Sequence, residues 1–196
     1  MRISFTNIDD ETKSDILDVF AEVRDAVPFD EISVSFGDAC YEYDGHVMKI
    51  FLDHDFKDFP EFAGMDFLRK LFLATHHKNG HITELDFADE IVTGDNAIMH
   101  GFKDRYFLYN FDRMKKIKKI NSLEEMLFLV SLYTVFHRHD RHDYDYLKSA
   151  AKMLKIDNIM TEKAADIIDA MHNDGSVESS RKLAEVYRRM KENGVL

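Results

Sequence analysis

The segment PEFAGMDFLRKLFLATHHKNGH, residues 60 to 81, decides how the chain is read. Its apolar residues Phe62, Met65, Leu68, Leu71, Phe72 and Leu73, with Ala74, fall at helical spacing, and Pro60 stands where a helix start tolerates a missing N–H. The spacing predicts a helix from Pro60 to Lys78. His77 and His81 lie four positions apart at its end, on one face if the helix runs on. Two imidazoles so placed can reach a single zinc ion. The same residues also read as an ordinary helix end, because His76, His77 and Lys78 complement the helix dipole and Asn79-Gly80 supplies a left-handed stop. The imidazoles converge if the helix continues through His81; if it breaks at Asn79-Gly80, they need not.

Working upstream, Ile32-Ser33-Val34-Ser35-Phe36 alternates apolar and polar residues. Cys40-Tyr41-Glu42-Tyr43 then leads through Asp44-Gly45, a type I′ turn pair, into Val47-Met48-Lys49-Ile50-Phe51-Leu52. The pattern predicts about three antiparallel strands. Residues 2 to 6 predict a short strand, and Asp9 to Ala26 an amphipathic helix with Ile16, Leu17, Phe20, Val23 and Val27 on one side and Pro28 beyond its end.

Downstream, Thr83 is an N-cap, Asp86 stands in for a capping-box glutamate, and Ile82 with Phe87 makes a hydrophobic staple, so a helix is expected to about Met99. Residues 105 to 119 are mixed: Tyr106, Phe107, Tyr109 and Phe111 give way to Arg113, Lys115, Lys116, Lys118 and Lys119. Ser122 with Glu125 caps a helix through Phe136, and further helices are expected near 144 to 155, 161 to 172 and 177 to 192, with Gly175 and Gly194 as C-caps after the last two. The fold class is therefore α+β and helix-rich: a small antiparallel sheet or hairpin, the histidine helix, then a C-terminal helical bundle. A boundary near residue 120 or 156 divides the chain into 1–120 and 121–196, or the whole forms one continuous domain.

Composition narrows the function classes. With 196 residues, 45% hydrophobic and 32% charged, the chain can bury a sizeable core. The net charge of −11 argues against a nucleic-acid partner, since phosphate backbones require a basic surface. The apolar stretch Met126 to Phe136 is far shorter than the roughly 20 residues a bilayer demands, and Met1 to Thr6 has no apolar core after Arg2. No membrane association is expected. A single cysteine, Cys40, excludes an internal disulfide and fits a reducing cytoplasm, so a metal site would draw on His, Asp and Glu.

With Gly80 before His81, a hairpin before the histidine helix and an acidic helix after it, residues 9 to 100 resemble the small zincin-like core of gluzincin-type metallopeptidases. The resemblance implies a zinc cofactor with His77 and His81 as the first two ligands. It places the third on the following helix, in an E-x-x-A-D pattern whose end is matched by Ala88-Asp89. Leu85 occupies the ligand position itself, so Glu84, Asp86 or Glu90 is the candidate third ligand. Lys78 stands where the family has its catalytic glutamate, the general base on the metal-bound water. A protonated lysine cannot accept a proton, and its charge disfavours a nearby cation. His76 as a replacement base sits about 100° around the helix from His77. The resemblance thus implies an inactive or divergent metallopeptidase homologue acting on, or binding, a protein or peptide. The alternative is a metal-free cytoplasmic interaction or scaffold protein whose C-terminal helices form a partner surface.

Other constellations are less pointed. His137-Arg138-His139-Asp140-Arg141-His142-Asp143 has enough ligands for a metal, but the interleaved arginines favour a solvated inter-helix loop held by ion pairs. His54 and His100 read as structural. The run from Arg113 to Lys119 reads as a solvated helix face, and the aromatic residues before it as core. Cys40, in a hairpin without a base beside it, is not a nucleophile. The sequence contains no phosphate-binding loop, dinucleotide fingerprint or nucleophile elbow.

Overall fold

The computed structural model describes residues 2–78, 87–117 and 123–142, together with Asp145, Tyr146, Ser149, Met153 and Glu192. It is α+β and helix-rich. The described chain runs β1 (Arg2–Phe5), α1 (Asp10–Val23), β2 (Glu31–Phe36), β3 (Tyr41–Tyr43), β4 (Val47–Leu52), α2 (Pro60–Lys78), α3 (Phe87–Met99), α4 (Lys103–Lys116) and α5 (Leu123–His139). Short 3-10 turns follow α1 at Arg24–Ala26 and β4 at His54–Asp58. The Thr83 cap lies outside the described residues, as do the helices expected beyond residue 144 apart from those five residues.

Local chemistry accounts for most element boundaries. Asp9 caps α1, accepting from the Thr12 amide at 2.9 Å and the Thr12 hydroxyl at 2.8 Å. The β3–β4 turn falls at Asp44-Gly45 but is not the type I′ pair expected, which needs positive φ at both residues: Gly45 adopts φ +95° and Asp44 does not, and the Asp44 carboxylate accepts from the amides of His46 and Val47 at 3.0 and 2.9 Å. Gly101, at φ +86°, ends α3 in a Schellman arrangement, with Phe102 N–H donating to Ala97 O at 2.9 Å and Gly101 N–H to Ile98 O at 3.0 Å.

The sheet corrects the antiparallel expectation. Its strand order is β1-β2-β4-β3, with β1 parallel to β2 and β2 parallel to β4; β3 and β4 form the antiparallel pair. The hairpin was legible, but its neighbour was not. β4 lies between β2 and β3, and because β3 reverses into β4, inserting β4 next to β2 makes those two strands parallel. Helix α1 supplies the crossover that lets β1 and β2 run the same way.

Two compact units share the chain, Met1–His81 with Asn96–Tyr109, and Ile82–Asp95 with Asn110–Leu196. In the first, Ile32, Val34, Met48, Ile50 and Leu52 bury one face of the sheet. Helices α1 and α2 pack on each other and α2 lies against β4, so Ile16, Val19, Phe20, Phe67, Leu68 and Leu71 complete the core. In the second, Ile91, Met114, Leu129, Leu132, Tyr133 and Phe136 are buried. Among the described residues, no helix is long and apolar enough to cross a membrane.

α4 covers part of the stretch that sequence left mixed. Tyr106 and Tyr109 are buried three positions apart, and Asn110 and Met114 four apart, a helical spacing that a run of aromatics followed by cations had obscured.

Candidate functional site

Helix α2 follows the edge hairpin after the short 3-10 turn and remains helical through His77 and Lys78. Asn79, Gly80, His81, Glu84 and Asp86 lie outside the described residues, as does the side chain of His76. The convergence of His77 and His81 is therefore not part of the described geometry.

His77 is half-buried and hydrogen-bonds through Nδ1 to the hydroxyl of Tyr41 on β3. The two rings lie 5.7 Å apart at 54°. Histidine metal ligands are commonly oriented in this way, by a partner on one ring nitrogen while the other bonds the metal.

Lys78 turns to a different neighbour. Its ammonium donates to the Pro28 carbonyl at 2.5 Å and lies 4.7 Å from the Phe29 ring centroid and 5.2 Å from that of Tyr43. The charge is spent on a carbonyl and two ring faces, an arrangement that stabilises an ammonium and offers no proton acceptor.

Glu90, on α3, is 5% exposed, and its Oε1 sits 3.3 Å from Arg113 Nη2. Arg113 Nη1 donates to Asn110 Oδ1 at 2.9 Å, and the guanidinium lies 4.1 Å from the Phe128 ring centroid. A carboxylate already facing a fixed cation in a buried setting is a poor donor to a second cation, which weighs against metal ligation by Glu90. Among the described residues, no group of three or more His, Cys, Asp or Glu side chains is arranged to hold a metal ion. Of the proposed donors, His77 and Glu90 lie within the described residues.

The second histidine cluster is not wholly a loop. α5 continues to His139, whose Nε2 meets Asp95 Oδ1 at 2.8 Å. Beyond it, Arg141 pairs loosely with Asp145 at 3.8 Å, as ion pairing in a solvated segment predicts. In the basic run, Lys115 and Lys116 are exposed and pair with Asp112, whereas Arg113 leaves the solvated set for Glu90. Lys118 and Lys119 lie outside the described residues.

Two networks in the first unit were missed by sequence reasoning. Lys70, on α2, donates to Phe51 O at 2.6 Å and Asp53 Oδ1 at 2.8 Å and pairs with Asp66 Oδ2 at 2.9 Å. Asp66 also accepts from the Tyr109 hydroxyl at 2.9 Å and the Asp53 amide at 3.0 Å. The available signal was an i, i+4 charge pair inside the apolar run from Phe62 to Leu73, where two opposite charges can be buried only together. In the second network, Asp15 pairs with Arg105 Nη2 at 2.5 Å and accepts from Gly64 N–H at 2.7 Å. Burial pushes the Asp15 carboxyl up against the opposing pull of Arg105 and the Gly64 amide. Burial likewise raises the Cys40 thiol, so it remains protonated and unreactive.

Comparison of the chain with protein-family models, curated proteins and solved structures finds no match.

Proposed function

We propose that the chain is a cytoplasmic zincin-like metallopeptidase homologue that binds a protein or peptide and does not hydrolyse it by the usual route. The observation that carries this reading is the junction of edge hairpin and histidine helix: β3 and β4 lead into α2, and Tyr41 of β3 orients His77 through Nδ1. That orientation suits a ligand bond from Nε2. His81 would be the second ligand, with Glu84 or Asp86 preferred to Glu90 as the third because Arg113 already holds Glu90. Bound zinc would act there as a Lewis acid on a water or a carbonyl. Lys78 supplies no general base, since its ammonium is committed to Pro28, Phe29 and Tyr43.

Metal content tests the proposal directly. Untagged protein purified without chelator should carry near-stoichiometric zinc by elemental mass spectrometry, and both His77→Ala and His81→Ala should lose it. No zinc in the wild type, even after zinc is supplied, would sink the reading. It would favour the second one, a metal-free interaction protein, for which the engagement of Glu90 by Arg113 is the supporting observation.

A further inference from the structure

We propose that the end of α2 is a clasp for the edge strand β3, in which Lys78 is the positioning residue, and that β3 opens as a local unit when the clasp is lost. The inference stands whether or not His77 takes a metal.

β3 is three residues long, and β4 is its one strand neighbour among the described residues. An edge strand this short has few ladder hydrogen bonds to hold it, which places it at the low end of local stability. Tyr41 stands opposite Ile50 and Tyr43 opposite Met48, both buried, so the two tyrosines share the face that packs inward. They meet consecutive residues of α2: Tyr41 bonds His77, and Tyr43 lies under the Lys78 ammonium. The same ammonium reaches Phe29 and the Pro28 carbonyl, and the Phe29 and Tyr43 rings are 5.7 Å apart. Phe29 is buried, whereas Tyr43 is 44% exposed, so Phe29 is the fixed wall and Lys78 draws Tyr43 onto it. A lysine at this position thereby joins three segments: the helix end, the approach to β2, and the edge strand.

β4 supplies an internal control. Phe51 N–H donates to Cys40 O at 3.2 Å and Asp44 N–H to Val47 O at 3.4 Å, so residues 47, 49 and 51 face β3. By alternation, Met48, Ile50 and Leu52 face β2, consistent with Gly37 N–H donating to Leu52 O at 3.0 Å. Native-state amide hydrogen exchange, read by NMR, should therefore separate local from global opening within one strand. Lys78→Met keeps the stem and removes the charge, and it should accelerate exchange at Glu42, Lys49 and Phe51 by about tenfold. Met48, Ile50 and Leu52 should be unaffected. Tyr43→Leu, which breaks the clasp from the other side, should give the same pattern, and Lys78→Arg should restore protection. Equal acceleration on both sides of β4, no acceleration in Lys78→Met, or an effect absent from Tyr43→Leu would each overturn the proposal.

Discussion

Replacing Lys70 by Met tests the buried charge network that joins α2 to the end of β4. The Lys70 side chain is 3% exposed and that of its partner Asp66 is 0% exposed. The substitution conserves an unbranched stem but leaves the Asp66 carboxylate facing only the Tyr109 hydroxyl and the Asp53 amide, and it removes the donor to Phe51 O. Breaking one side of a buried ion pair costs about 3–5 kcal/mol, far more than an exposed pair, because the surviving charge is left in a poorly solvated site. For a chain of this size, each kcal/mol lowers the thermal midpoint by about 2–4 °C, so a fall of roughly 10 °C is expected. Urea unfolding followed by far-UV circular dichroism should show the lower midpoint with an unchanged slope. Asp66→Asn alone should also destabilise, and the double variant should lose less than the sum of the singles. A loss below about 1 kcal/mol, or additive singles, would refute the claim that the pair is coupled and desolvated.

Three further substitutions probe the first helix and its contact with α2. In Gly64→Ala the added Cβ would overlap Asp15 Oδ2 and lie 2.9 Å from Val19 Cγ2 and 3.0 Å from Arg105 Nη2. The helix-propensity gain of about 1 kcal/mol should be outweighed, for a net loss of roughly 1–2 kcal/mol in urea unfolding; a gain would show that the approach is not tight. Asp9→Ala should cost about 1 kcal/mol at neutral pH through loss of the α1 cap. The Thr12 hydrogen bonds hold the Asp9 carboxyl below its ordinary value, so its stabilisation is present above that range and lost as pH falls through it. The wild-type advantage should therefore shrink when urea unfolding is repeated below about pH 4. Asp15 has the opposite sign: burial raises its carboxyl, so its contribution is present at low pH and lost as pH rises through the raised value. Asp15→Asn should not reproduce the Asp9→Ala trend.

Much of the first unit was legible because its signals are local. Pro60 starts α2 where a fixed φ is tolerated, Asp44-Gly45 turns the hairpin, and Ile16, Phe20 and Val23 mark the inner face of α1. The partners of charged residues were not. Arg113 looked like one of a run of solvated cations until α3 and α5 supplied Glu90 and Phe128 within the same unit. Lys78 looked like a lost catalytic base, and the structure gives it a carbonyl and two ring faces instead. Leu17 illustrates the limit of periodicity: it falls on the apolar side of α1 by spacing yet is 43% exposed, because the packed stripe is narrower than the apolar one.

Taken alone, the sequence determined the helix-rich α+β class, the hairpin turn and the helix bearing His77, since periodicity, caps and turn residues act over a few neighbouring positions. Tertiary structure alone decided that β4, not β3, lies beside β2, and that the neighbours of Tyr41 and Lys70 are His77 and Asp66 with Asp53. Strand order and ion-pair choice depend on which distant segments share a buried space, and local spacing carries no information about that.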